Sequence, residues 1–151
     1  MARMHARRRG KSSSKPAYRR EKPDWINMSM EEIENIIVNL YKGGLHPSQI
    51  GIRLRDQYGI PDVKLVTGKK IQQILEEAGY KQKIPEDLMF LMKKAVNLHA
   101  HLQVHKKDLS NRRGLQLVEA KIRRLIKYYK RKGKLPEDWK YSISTAKLMV
   151  E

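Results

Sequence analysis

A chain of 151 residues has room for one or two small domains and a modest core, and its formal charge of +17, from 33 Lys and Arg against 16 Asp and Glu, calls for a polyanion to neutralise it. It has no cysteine, which excludes disulfides and thiolate zinc sites, and no apolar run approaches the ~20 residues that span a bilayer. The first residues lack the apolar segment of a signal peptide, so the expectation is a cytoplasmic protein whose partner is nucleic acid first and an anionic membrane surface second.

The charge is confined. Residues 1–20 carry Arg3, Arg7, Arg8, Arg9, Lys11, Lys15, Arg19 and Arg20 and no acid, while residues 112–134 carry ten cations against Glu119 alone. The remainder is formally neutral, which fits two discrete polyanion contacts better than general solubility.

Residues 1–22 are too poor in apolar side chains to fold alone. They are expected to form an extended basic tail that orders on its partner, with Arg3, Arg7, Arg8, Arg9, Arg19 and Arg20 as its RNA contacts. Ser29 and Glu32 form a capping box for a first helix, whose stripe is Ile33, Ile36, Ile37 and Leu40 and whose stop is Gly43-Gly44. A second helix runs from Pro47 through Ile50 and Leu54 to Gly59. A third starts near Thr67 and runs through Ile71, Ile74, Leu75 and Ala78 to Gly79. The second and third resemble a helix–turn–helix, although the connection through Pro61 is longer than the usual turn and the mixed charge favours a plain helical hairpin. Residues 23–80 thus make an N-terminal helical subdomain, and residues 80–84 a linker.

Pro85, Glu86 and Asp87 open a fourth helix that runs to about His105. The loop KKDLSN leads to a fifth helix that ends at Gly133, ahead of Pro136. Residues 85–133 therefore form an antiparallel hairpin. Residues 134–151 are a C-terminal extension whose last stretch, WKYSISTAKLMVE, has weak periodicity and is expected to be an extended tail. No strand alternation and no internal repeat is present. The fold class is all-α: a helical bundle with a long antiparallel helical hairpin, an N-terminal helical subdomain and an extended basic N-terminal tail.

At about 100° per residue, Leu88, Leu91, Met92, Ala95, Leu98, His99 and Leu102 share the core face of the fourth helix, with Lys94, Asn97, His101 and His105 opposite. On the fifth, Leu115, Val118, Ile122, Leu125, Ile126 and Tyr129 face the core, while Arg113, Lys121, Arg124, Tyr128 and Arg131 lie away from it. The polar sides and the turn supply a candidate RNA-binding surface: His101, His105, Lys106, Lys107, Asp108, Ser110, Asn111, Arg112, Arg113, Lys121, Arg124, Tyr128 and Arg131. Its cations displace counterions from phosphates, which gives affinity without sequence information. Tyr128, an aromatic among cations, suits a sugar contact or stacking on an unpaired base. In the shallow minor groove of an A-form helix, Asp108 can accept from a guanine amino group, and His101, Ser110 and Asn111 can bond hydroxyls and base edges. Asp108 or Ser110 equally suits the cap of the fifth helix, and the two roles are compatible.

His101 and His105 have the i, i+4 spacing of zinc ligands, but HLQVH lacks the glutamate of the metalloprotease motif. TGKK at residues 67–70 lacks the full phosphate-loop spacing. No nucleophile–base or paired-carboxylate constellation is present, so no enzyme activity, metal, cofactor or small-molecule substrate is expected. A membrane-surface role ranks low, because the apolar face of the fifth helix is needed for the core. The alternative to RNA is a DNA-binding helix–turn–helix protein using helices two and three.

The run His101, His105, Lys106, Lys107, Asp108, Arg112, Arg113, Gly114 and Leu115 resembles the signature of the universal small-subunit ribosomal protein family numbered fifteen in bacteria and thirteen in eukaryotes. GLHPSQIGIRLRDQYGI, VTGKKI and LPEDWKYSISTA resemble extensions of its archaeal and eukaryotic branch, so the likeness covers nearly the whole chain and has an archaeal cast. The resemblance implies binding to a three-way junction in the central domain of small-subunit rRNA, an early role in assembly, neighbouring ribosomal proteins, and a bridge to large-subunit rRNA. It also implies that His101 and Asp108 meet a minor groove and that Tyr128 lies at the junction. Asn111 stands where the bacterial pattern has Ser, and Lys81, Gln82 and Asp87 do not match its Thr-Gly pair and Gln.

Overall fold

The structure, a computed structural model, describes residues 21–82 and 84–150, so the six tail arginines lie outside the described residues. Among the described residues the fold is all-helical: α1 (Met30–Lys42), α2 (Pro47–Gln57), α3 (Val63–Thr67), α4 (Ile71–Glu77), α5 (Glu86–Val104), α6 (Leu109–Arg131) and α7 (Ile143–Val150), with no strand. Residues 21–81 and 82–150 form two compact units, each with its own apolar core.

In the first unit α1 begins as its capping box requires. The Ser29 hydroxyl accepts the Glu32 N–H at 3.2 Å, and the Glu32 carboxylate accepts the Ser29 N–H at 2.8 Å. Ile33 and Ile37, one turn apart and fully buried, pack in one cluster with Ile50 and Leu54 of α2 and Ile74 and Leu75 of α4. The third helix expected from Thr67 onward begins instead at Ile71 as α4, and a short helix not expected from the sequence, α3, precedes it and ends at Thr67. The break is Gly68, whose φ of +72° is a left-handed conformation that L side chains rarely adopt. Thr67 suggests a helix start because threonine is a good N-cap. Here it ends α3: its buried hydroxyl donates to the Val63 carbonyl at 2.9 Å and accepts the Lys69 N–H at 3.3 Å. Gln73 meets the need at α4, accepting the Lys70 N–H at 2.9 Å.

In the second unit α5 and α6 lie side by side along a seam of Leu88, Met92 and Ala95 against Val118, Ile122, Leu125 and Ile126, all buried. Leu91, Leu98, Leu115 and Tyr129 flank it, partly buried. His99 is half-buried, 3.3 Å from the Gln103 amide. The C-terminal stretch expected to be extended contains α7, which packs on α5. Gly133 (φ +65°) ends α6, the Lys134 N–H donates to the Tyr129 carbonyl at 2.9 Å, and the Lys130 ammonium reaches the Glu137 carbonyl. The chain then turns back, placing Leu135, Trp139, Tyr141 and Ala146 in the hairpin's own core. The Ser142 hydroxyl caps α7 by accepting the Thr145 N–H at 3.0 Å. Its periodicity is weak because only Ala146 is fully buried, and a helix this short takes its stability from packing.

Burial decides what holds the unit. Each fully buried Leu, Ile or Met side chain contributes about 1.5–3 kcal/mol, whereas a pair with an exposed partner, such as Arg123 with the half-buried Glu119 at 3.6 Å, adds little. Ile122 is central to the seam and fully buried. Ile122→Ala should therefore destabilise the hairpin unit by about 2–5 kcal/mol in chemical denaturation. A loss below about 1 kcal/mol, outside the usual range for such a truncation, would show that the seam is not the main support.

Candidate nucleic-acid interface

The turn between α5 and α6 is built from its own side chains. α5 ends where His105 leaves helical geometry (φ −103°, ψ 69°), its N–H still donating to the His101 carbonyl at 2.9 Å. The Asp108 N–H then donates to the His105 carbonyl at 3.1 Å and closes the turn. Asp108 is the N-cap of α6. Its Oδ1 accepts the Asn111 N–H at 2.9 Å, and its Oδ2 accepts the Asn111 side-chain amide at 2.7 Å and faces His101 Nε2 at 3.1 Å. His101, expected on the outer face of its helix, is accordingly half-buried and drawn toward the turn, its ring 4.5 Å from that of His105 and tilted by 37°.

These bonds fix the charge. The Asn111 N–H, then His101, then the Asn111 amide hold the Asp108 carboxyl down to about 2. A carboxylate offers about four acceptor sites. Among the described residues, Oδ2 uses both of its own and Oδ1 uses one, which leaves a single acceptor site on Oδ1.

Around this turn Lys106, Lys107, Ser110, Arg112 and Arg113 are exposed, as are Lys121, Arg124, Tyr128 and Arg131 along α6. Val104 and Leu109, 76% and 70% exposed, flank the basic turn. Sequence reasoning missed this pair, although two aliphatic residues interrupting a polar loop are a visible signal. Tyr128 is 42% exposed, its ring meeting that of Tyr129 edge-on at 5.2 Å and 64°. Seventeen residues of helix place Tyr128 about 25 Å along the axis from Asn111, so the surface has an acidic spot at one end and an aromatic at the other.

Tyr129 is only half-buried, and its hydroxyl donates to the Asp87 carboxylate, both oxygens lying at 2.7 Å. Burial first, then Asp87, pushes this phenol above the ordinary tyrosine range. A bond across 42 residues of sequence leaves no local signal, and sequence reasoning missed it. Among the described residues no group of three His, Asp or Glu is placed to hold a metal ion, and no helix is long and apolar enough to cross a membrane.

The depressed Asp108 pKa links the cap to pH. Its stabilising effect is complete above the unfolded value near 3.8 and fades as pH falls toward about 2. The stability difference between wild type and Asp108→Asn should shrink across that window in acid denaturation series. A difference that stays flat from pH 4 to pH 2 would mean the carboxylate is not held by these bonds.

Comparison with known proteins bears on the whole chain. Residues 1–60 match the Ribosomal S13/S15 N-terminal domain and residues 70–149 match Ribosomal protein S15. Proteins named small ribosomal subunit protein uS15 are similar from end to end. That of Methanoculleus marisnigri is 53% identical over 150 residues, 99% of each chain. That of Methanocella arvoryzae is 51% identical over 150 residues, again 99% of each. That of Methanococcus vannielii is 50% identical over 151 residues, 100% of each. With both family domains matched and archaeal relatives at half identity over their full length, the chain belongs to the ribosomal protein S15 family.

Proposed function

We propose that this chain binds a three-way junction in the central domain of small-subunit rRNA through the α5–α6 hairpin, and that it helps assembly and contributes to a bridge with large-subunit rRNA beside neighbouring ribosomal proteins. As a family member it is a structural component of the ribosome, cytoplasmic, and not an enzyme. The turn supports the specific part of the reading. Arg112, Arg113, Lys121, Arg124 and Arg131 supply affinity for phosphate. His105, Lys106 and Lys107 bring the turn to the backbone, and Tyr128 meets a sugar or unpaired base at the junction. The tail arginines (Arg3, Arg7, Arg8, Arg9, Arg19 and Arg20) make a second, sequence-independent contact.

The observation that carries the proposal is the ionised Asp108 inside a cationic surface, with one acceptor site open on Oδ1. A carboxylate there weakens phosphate binding; beyond capping α6, its open acceptor site suits a donor such as a guanine amino group in the minor groove. His101 beside it, and Ser110 and Asn111 on the first turn of α6, reach hydroxyls and base edges.

The DNA-binding alternative finds less support in α2 to α4. Residues 21–81 carry eight Lys and Arg against nine Asp and Glu. Lys69 is paired with Glu77 at 2.6 Å and Glu34 at 3.5 Å, and Arg55 with Asp56 at 2.7 Å.

Two measurements test the reading. Asp108→Ala should weaken binding to the junction RNA at least about tenfold, the scale of one lost specific contact, and leave binding to unrelated RNA unchanged or tighter. Equal loss on every RNA, or a tighter complex of wild type with duplex DNA than with the junction, overturns it. Each neutral replacement of Lys121, Arg124 or Arg131 should lower the slope of log affinity against log salt by about 1. An unchanged slope removes that face from the interface.

A further inference from the structure

We infer that Asp87 and Tyr129 form a positioning clamp for Tyr128, holding its ring in one orientation before RNA arrives. The purpose assigned to the clamp rests on the RNA-binding reading above; its geometry does not.

Consecutive helix residues point about 100° apart, so Tyr129 packs against the hairpin core while Tyr128 projects outward. Tyr129 is held at three points. Its ring packs against the core cluster, its hydroxyl is bonded to Asp87 on α5, and its face or edge abuts the Tyr128 ring at 5.2 Å. Asp87 is itself fixed, because it also accepts the Leu88 N–H at 2.8 Å in the first turn of α5. The result is a chain of contacts from one helix through a rigid ring to an exposed one.

That chain gives the acid a reason to be there. A carboxylate at the edge of a surface built for phosphate weakens binding, unless its oxygens are already engaged. Those of Asp87 are, by a phenol and a backbone amide. In return the edge-on wall of Tyr129 restricts the rotamers open to Tyr128, and a ring ordered in advance loses less freedom on binding. A staple between α5 and α6 alone would not require an exposed aromatic to lie against it.

The test uses the full chain. In the free protein, three-bond couplings across χ1 of Tyr128 should report one dominant rotamer. Tyr129→Phe, which keeps the packed ring and removes the hydroxyl, should average them. Asp87→Asn, whose amide carbonyl still accepts the hydroxyl, should restore wild-type couplings where Asp87→Ala does not. Affinity for the three-way-junction RNA should fall about 3–10-fold in Tyr129→Phe, the scale of one hydrogen bond, and by less than about twofold when Tyr128 is already Ala. Unchanged couplings in Tyr129→Phe, or the same loss in both backgrounds, overturns the clamp and leaves a staple. Averaged couplings in a protein that binds the junction no better than single-stranded RNA of equal length uphold the clamp and overturn the RNA-junction reading instead.

Discussion

Ten cations between Arg112 and Lys134 repel one another, and the apolar seam of Val118, Ile122, Leu125 and Ile126 against Leu88, Met92 and Ala95 is what keeps them in place. The seam also sets direction. Turning α6 by one residue, about 100°, would bring Lys121 or Arg123 into the apolar interior, where an unpaired charge is strongly disfavoured. The orientation of α6 is therefore determined by its aliphatic side chains, and the outward aim of Lys121, Arg124, Tyr128 and Arg131 follows from it. α7 reinforces the arrangement by packing on α5, so α5 is held between two helices while α6 keeps its outer side open.

The turn depends on the seam in the same way. Because α5 and α6 run side by side, residues 105–108 have to reverse the chain within a few residues, and the first N–H groups of α6 need partners. Asp108 meets the Asn111 N–H, and the same carboxylate gathers the Asn111 amide and His101. One side chain thus ends the reversal, starts the helix and orders the polar groups beside it.

The long-period features were legible in the sequence. The capping box at Ser29, the core faces of both hairpin helices and the outward side of α6 follow from spacing alone, because 3.6-residue periodicity over about twenty residues leaves little ambiguity. What was illegible is short or non-local. Thr67 suggests a helix start and is a helix end, since threonine serves both termini and only the burial of its hydroxyl decides. α7 shows no clear stripe because one alanine and a few partly buried residues anchor it. His101 is bonded to an acid seven residues on, a partner that helical spacing does not show. The Asp87–Tyr129 bond joins residues that sequence reasoning assigned separately, one to a helix end and one to a core. For the candidate surface, the cations and Tyr128 were readable as outward-facing, but the hydrogen bonds that leave Asp108 one open acceptor were not.

A purely cationic helix has no preferred place on a uniform polyanion; any register along the phosphates serves it equally, and it slides. An acid that remains ionised down to about pH 2 changes that symmetry. On the RNA-binding reading it would meet a phosphate and be repelled at most registers, and only where a donor waits would the repulsion become a bond. Discrimination then comes as much from rejecting wrong positions as from rewarding the right one. On the RNA-binding reading proposed above, a single fixed negative charge at the tip of the hairpin would act as a detent, converting a sticky rod into one that stops.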